Sequence, residues 1–308
     1  VQDDFHVPVL QSQVLRYLQP ENASCIADLT LGDGGHSGAL LQAMPSSGRV
    51  IAIDLDVEAI ARARARLQQY GDRFVAVQGN FSDLQKLLAS QGVMQVDGVL
   101  ADLGVSRRQI SEPGKGFMFN VDGPLRMQMD PQNPLDAEKV INEYDQAALA
   151  DIMWQFGEER NSRRIAAVLI RMRQSRRLDR TDDLAEAVRR VVKGPMVVKS
   201  LARVFQAFRI FVNGELDNLQ QMLPQAVAVL RPGRRGVIIS YHSLEDRITK
   251  RFIREASRPC ICPPQLPVCV CQRKPVVRAV DDLIMAEEAE QELNRSSRSA
   301  RLRIFEKL

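Results

Sequence analysis

Three short segments carry residue types that can hold a small hydroxylated, cationic ligand. The first is DLTLGDGGHSG, Asp28 to Gly38. Gly32, Gly34 and Gly35 let the backbone turn sharply and approach a ligand, between the carboxylates of Asp28 and Asp33. No Gly-Lys-Ser/Thr follows, so this is not a nucleotide triphosphate loop. The second is Asp54, at the end of the apolar run AIDLD, where an acid can accept hydrogen bonds from both ribose hydroxyls of an adenosine. The third is Asp102, in ADLG. The first loop lacks the regular GxGxxG pyrophosphate turn, and Asp28, Asp33 and Asp102 suit a cationic sulfonium and amino group. Together they favour S-adenosylmethionine (SAM) over a dinucleotide. Each segment alone reads equally well as turn glycines or a capping acid; their agreement in order gives the ligand reading its weight.

The elements that must position these residues alternate. An amphipathic helix is expected at 9–18, ended by Pro20. Strands are expected at 25–29, 48–56, 73–81 and 96–104, with helices after the glycine loop, at 57–70, and from Ser82 as N-cap. That rhythm marks a mostly parallel sheet covered on both faces. It breaks at 105–135, a stretch rich in Gly, Pro, Met and Asp that reads as a long ordered loop. Its Met127 and Met129 are soft surfaces for a base, or simple loop packing. Helices alone are expected at 136–142, 145–156, 158–174, 181–193 and 200–212. A helix at 214–230, a turn at Pro232-Gly233, a strand at 236–241, a helix at 244–256 and a last strand near 299–307 resume the α/β pattern. The expected organisation is an α/β core from 1–104 and 213–308, an active-site loop region at 105–135 and an inserted helical domain at 136–212.

Composition narrows the classes. Forty-two Lys and Arg against 38 Asp and Glu leave a net charge of +4, which permits a nucleic-acid partner without requiring one. The surplus is local: residues 160–209 hold 14 basic against 4 acidic residues. Arg160, Arg163, Arg164 and Arg171 can share a helix face, with Arg173, Arg176 and Arg177 close by, a footprint for RNA phosphates or else a solvated charged helix. No long uncharged apolar run implies a membrane span, and the first residues do not read as a signal peptide, so a cytoplasmic protein is expected. Cys25 reads as a small buried hydrophobe. Cys260, Cys262, Cys269 and Cys271 form two CxC pairs, whose spacing leaves structural zinc, reduced thiols and a disulfide open; the site reading assigns no metal.

Longer stretches carry a resemblance. HVPVL at 6–10, GDGGHS at 32–37, AIDLD at 52–56, GNFSDL at 79–84 and DGVLADLGVS at 97–106 resemble the ribosomal RNA small subunit methyltransferase H (MraW) family. So do GFMFNVDGPLRMQMD at 116–130, FGEER at 156–160, FQAFRIFVNGEL at 205–216, SYHSLEDRITKRF at 240–252 and RSSRSARLRIFEK at 295–307. The chain departs from the family pattern at Asp28-Leu29-Thr30-Leu31-Gly32, at Ser106-Arg107 and at KSLARVFQAFRI, 199–210.

The resemblance implies a class I SAM-dependent methyltransferase core, Rossmann-like, with an inserted all-helical domain. It implies methyl transfer from SAM to the exocyclic N4 of a cytidine in the decoding region of small-subunit (16S) ribosomal RNA, with that RNA or the small subunit as partner. Carried over by motif, Gly34, Gly35, His36, Asp54, Phe81, Asp102 and Gln109 contact SAM, with Phe81 against the adenine. Asp102, His242 and Ser243 are the candidates for the edge where the amine reacts. The alternative is a SAM- and RNA-binding ribosome-assembly factor whose chemistry is weak or lost.

Overall fold

In a computed structural model, the described residues are 8–106, 108, 112–263, 265, 268 and 270–308. They divide into two compact units, Val1–Gly104 with Leu216–Leu308, and Val105–Glu215.

The first unit is built on one eight-stranded sheet. Its first half runs α1 (Gln11–Leu18), β1 (Cys25–Asp28), α2 (Gly35–Ala43), β2 (Arg49–Asp54), α3 (Val57–Arg66), β3 (Phe74–Gln78), α4 (Leu84–Ser90) and β4 (Val96–Asp102). The second unit then supplies α5 (Ala137–Glu143), α6 (Gln146–Gly157), α7 (Ser162–Ser175), α8 (Thr181–Val191) and α9 (Val197–Asn213). The sheet unit resumes along α10 (Glu215–Val229), followed by β5 (Leu230–Ser240), α11 (Ser243–Ala256), β6 (Val277–Ala279), β7 (Ile284–Met285), α12 (Glu288–Leu293) and β8 (Arg301–Lys307).

Strand order is β3-β2-β1-β4-β5-β8-β6, with β7 also on β8. The strands β3, β2, β1, β4 and β5 are parallel neighbours; β8 runs antiparallel to β5. All four residues of β1 are buried, as a central parallel strand covered on both faces requires. Alternate residues feed the two faces: Ile51, Ile53, Val99, Ala101 and Phe305 one way, Val50, Ala52, Leu100, Leu302 and Ile304 the other. At Gly236 a Cβ would lie 2.3 Å from Phe305 Cζ, so glycine there leaves room for the facing ring. No described helix is long and apolar enough to cross a membrane.

Several boundaries differ from the sequence reading for local reasons. Asn80, not Ser82, opens the turn before α4: its side chain accepts from Ser82 N at 3.0 Å, and a 3-10 turn over Phe81–Asp83 precedes the helix. Pro232-Gly233 do not separate α10 from β5. Leu230 already pairs with Val96 and Arg235 with Gly98, so Arg231–Arg234 bulge out of a continuous strand. The short strand β6 lies within 258–282, a stretch rich in Pro and Cys.

In the second unit, acids start the helices: Asp136 accepts from Lys139 N and Asp145 from Ala148 N, each at 2.7 Å. Residues 105–135 belong to the same unit as these helices. Leu125 and Met127 are fully buried in the helical core, and Leu125 N donates to Asp179 O. Asn213 ties the segment to α9 by donating to Met127 O and accepting from Met129 N.

Candidate active site

The parallel strands end together at one edge of the sheet, where ligands of such folds bind. The loop after β1 turns through Gly32 and Gly34, with φ of +50° and +78°. At Gly34 space is short as well: a Cβ would sit 3.1 Å from Leu67 Cδ1. Gly34 caps α2 and Gly35 is its first residue, so that helix begins within the loop.

Asp28 is fully buried; its carboxylate accepts from Ser37 Oγ at 2.7 Å and Thr30 N at 3.2 Å. Burial pushes its pKa up against those bonds. Asp33, by contrast, is ion-paired at 2.8 Å to Arg62 of α3, so its charge is already answered. Asp54 is half-buried at the end of β2. Its Oδ2 accepts from Gly32 N at 2.8 Å and its Oδ1 from Asp56 N at 2.9 Å. Burial raises this carboxyl too. A carboxylate offers about four lone-pair sites, so two remain for a diol. Phe81 is half-buried just beyond β3, in the 3-10 turn.

At the end of β4, Asp102 N donates to Thr30 Oγ1 at 2.6 Å, which joins this strand end to the glycine loop. Tyr241 Oη donates to Asp102 Oδ1 at 2.7 Å. The Tyr241 phenol is pushed well above its ordinary value, first by burial and then by the Asp102 carboxylate, so it stays a donor at neutral pH. Asp102 Oδ2 lies 3.7 Å from His36 Nε2. His36 is 6% exposed, and neither ring nitrogen has a hydrogen-bond partner among the described residues. Buried polar atoms normally have partners, so an unanswered imidazole beside a carboxylate points to a ligand there.

His242 and Ser243 begin α11, immediately after Tyr241, and both are half-buried. His242 Nε2 lies 3.2 Å from Glu245 Oε1, and Glu245 Oε2 accepts from Tyr241 N at 2.9 Å. The side chain that reaches Asp102 is therefore Tyr241. Neither Tyr241 nor Thr30 stands out in the sequence as a site residue. A signal exists all the same. Asp102 is in register with Ile239, so the residue two beyond it falls at the same edge. Gln109 lies outside the described residues.

The basic cluster belongs to the helical unit. Arg163, Arg164 and Arg171 are exposed on one face of α7, opposite the buried Ile165, Leu169 and Met172. Arg160 is exposed in the turn before that helix, which starts at Ser162, four residues later than the sequence suggests. None of these four has an ion-pair partner among the described residues. The other three are engaged. Arg173 donates to Ile141 O at 2.7 Å and Tyr144 O at 2.6 Å, capping α5. Arg176 pairs with Asp183, and Arg177 with Glu138 at 2.6 Å. Arg171, Arg176 and Arg190 line, with Glu186, a cavity of about 460 Å³.

The strand order and the loops at this edge define a Rossmann-like α/β protein of the methyltransferase class. The chain belongs to the MraW methylase family, which matches residues 3–308. It is similar to two proteins named ribosomal RNA small subunit methyltransferase H. One, from Carboxydothermus hydrogenoformans, is 44% identical over 98% of each chain. The other, from Thermomicrobium roseum, is 43% identical over 98% of this chain and 94% of its own. A solved rRNA methylase from Streptococcus thermophilus aligns with a TM-score of 0.41 and 12% identity, over 94% of this chain and 92% of that one. That likeness adds nothing to what the strand order itself shows.

The methyl donor of this class is SAM, and the residues present fit it. Asp54 keeps acceptor sites for a ribose, the buried His36 nitrogens have no hydrogen-bond partner among the described residues, and the partly exposed Asp102 carboxylate can face a cation.

Proposed function

We propose that the chain transfers a methyl group from SAM to the exocyclic N4 of a cytidine in the decoding region of 16S ribosomal RNA. Small-subunit rRNA as the substrate is supported by full-length identity of 43–44% to relatives named as small-subunit rRNA methyltransferases; the cytidine N4 in the decoding region is what the family resemblance implies. The geometry at Asp102 supports an amine acceptor.

SAM, when bound, supplies an electrophilic methyl on its sulfonium. On this reading Asp54 holds the ribose and Phe81 lies against the adenine. The Gly34-Gly35-His36 turn borders the rest of the cofactor. Cytosine N4 is a weak nucleophile because its lone pair conjugates with the ring, so aligning it matters most. Asp102 Oδ2 accepts an amine N–H, which orients the nitrogen and raises its electron density. Tyr241 fixes that carboxylate through Oδ1. Once nitrogen has gained the methyl it must shed a proton, and Asp102 is the adjacent acceptor. His242 and Ser243 border the base, which leaves its stack to reach this edge. Arg160, Arg163, Arg164 and Arg171 take RNA phosphates, whereas Arg173, Arg176 and Arg177 hold the helical unit together.

The test is methyl transfer from labelled SAM to small ribosomal subunits purified from cells lacking the modification, followed by digestion of the RNA to nucleosides. Label in N4-methylcytidine is expected. Label in another nucleoside, or none with SAM bound, overturns the reading.

A further inference from the structure

Between α11 and β6 the chain runs for twenty residues, 257–276, with no helix or strand described in it. Both ends are pinned: Val276 N donates to Ala256 O at 3.0 Å, and Arg273 donates to Glu255 O at 2.6 Å. The middle has little apolar packing of its own, since Ile261, Val268 and Val270 are 58%, 71% and 70% exposed. A loop this long that buries so little needs another source of order.

Its three described cysteines converge. The sulfurs of Cys260, Cys262 and Cys271 all lie within 4.8 Å of one another. Cys271 Sγ is 3.8 Å from Cys260 Sγ. Two sulfurs bound at about 2.3 Å to one tetrahedral ion lie roughly 3.8 Å apart, whereas a disulfide requires about 2.05 Å. Backbone amides already aim at two of the sulfurs: Cys262 N donates to Cys260 Sγ at 3.3 Å and Val270 N to Cys262 Sγ at 3.4 Å. Amide donors of this kind can satisfy the remaining lone pairs of sulfur ligands. Arg254, Arg258, Arg273 and Lys274 flank the cluster in sequence and suit the negative charge of several thiolates on one divalent ion.

We propose that Cys260, Cys262 and Cys271 bind a structural zinc ion that cross-links this segment. Binding releases the three thiol protons to solvent and changes no oxidation state. A soft thiolate set at tetrahedral spacing selects zinc over oxygen-seeking cations. The ion ties the exit of α11 to the entry of β6 and has no part in methyl transfer. Cys269 lies outside the described residues, and the proposal stands on the other three.

The experiment uses the full-length protein, purified under reducing conditions without chelator or metal-affinity resin. Elemental analysis is expected to find about one zinc per chain, falling below about 0.2 in Cys260→Ser, Cys262→Ser and Cys271→Ser, with Cys25→Ser unchanged. Because a serine variant can misfold, a second measurement uses the wild type: cobalt(II) exchanged into the site gives thiolate charge-transfer absorption, and added zinc abolishes it. Less than about 0.2 zinc per chain after incubation with zinc chloride overturns the proposal. So does full zinc retention in all three serine variants, or a cobalt spectrum without thiolate bands.

Discussion

The two units use charge in opposite ways. At the sheet edge, polar groups are buried and partly unanswered: His36 has no hydrogen-bond partner among the described residues, and Asp54 keeps acceptor sites free. On the helical unit most charge is answered or solvated. Arg173, Arg176 and Arg177 are spent on the fold, while Arg160, Arg163, Arg164 and Arg171 stand in water. A buried unanswered group binds a small ligand tightly and in one orientation, because the desolvation cost is already met in the free protein. An exposed arginine binds phosphate weakly, in many orientations and subject to salt. The first arrangement suits a cofactor, the second a large polyanion.

The strongest way to break this comparison is Asp102→Asn. It keeps the shape and removes the charge that orients the amine. Single-turnover methyl transfer is expected to slow by about 100- to 10,000-fold, the range for a positioned acid–base group, with the protein still folded. A decrease under about fivefold removes Asp102 from the chemistry.

Arg173 tests the engaged arginines. Arg173→Ala deletes bonds to two carbonyls at the end of α5, and thermal unfolding is expected to show a destabilisation of about 1.5–3 kcal/mol. Arg163→Ala lacks such bonds and should stay within about 0.5 kcal/mol of the parent. Equal effects would dissolve the distinction between engaged and exposed arginines.

The opposite end of the sheet gives a purely structural carboxylate for contrast. Burial pushes Asp97 up, but bonds from Ser24, Arg231 and the Cys25 amide outweigh it and hold the carboxyl at about 2, from 3.8. A depressed folded pKa means the stabilisation is complete above pH about 4 and vanishes as pH falls through about 2. Asp97→Asn should therefore lower stability by about 2 kcal/mol at pH 7 and leave little difference from wild type near pH 2, read from urea unfolding. A penalty that persists at low pH contradicts the ionic account.

The smallest effect is the most diagnostic of the exposed face. Replacing Arg163, Arg164 and Arg171 by Gln should reduce the slope of log affinity for RNA against log salt by roughly 0.7–0.9 for each phosphate no longer neutralised, with SAM affinity unchanged. An unchanged slope takes this face out of the RNA footprint.

Much of the sheet unit is legible in the sequence because its signals are local. Gly32 and Gly34 lie in one loop, and each of β1 to β4 is a short apolar run ending near an acid or glycine. What stays hidden depends on pairing across the chain. Tyr241 meets Asp102 from 139 residues away, and only the adjacency of β4 and β5 reveals it. Arg177 finds Glu138 across 39 residues, so composition alone cannot separate engaged from exposed arginines. Met127 falls in a segment that reads as loop, yet it is fully buried in the helical core, because α9 and Asn213 hold that segment in place. The bulge at Pro232-Gly233 reads as a turn because proline and glycine usually end a strand; only the register beside it corrects this.

The central claim is that the carboxyl ends of β1 to β4 form the SAM site, and diffraction from crystals grown with S-adenosylhomocysteine tests it most directly. The account predicts one product molecule per chain, with its ribose hydroxyls within hydrogen-bond reach of Asp54, its adenine against Phe81 and its sulfur facing the Asp102 edge. Density for the product elsewhere, with Asp54 still bonded only to Gly32 and Asp56, would contradict it.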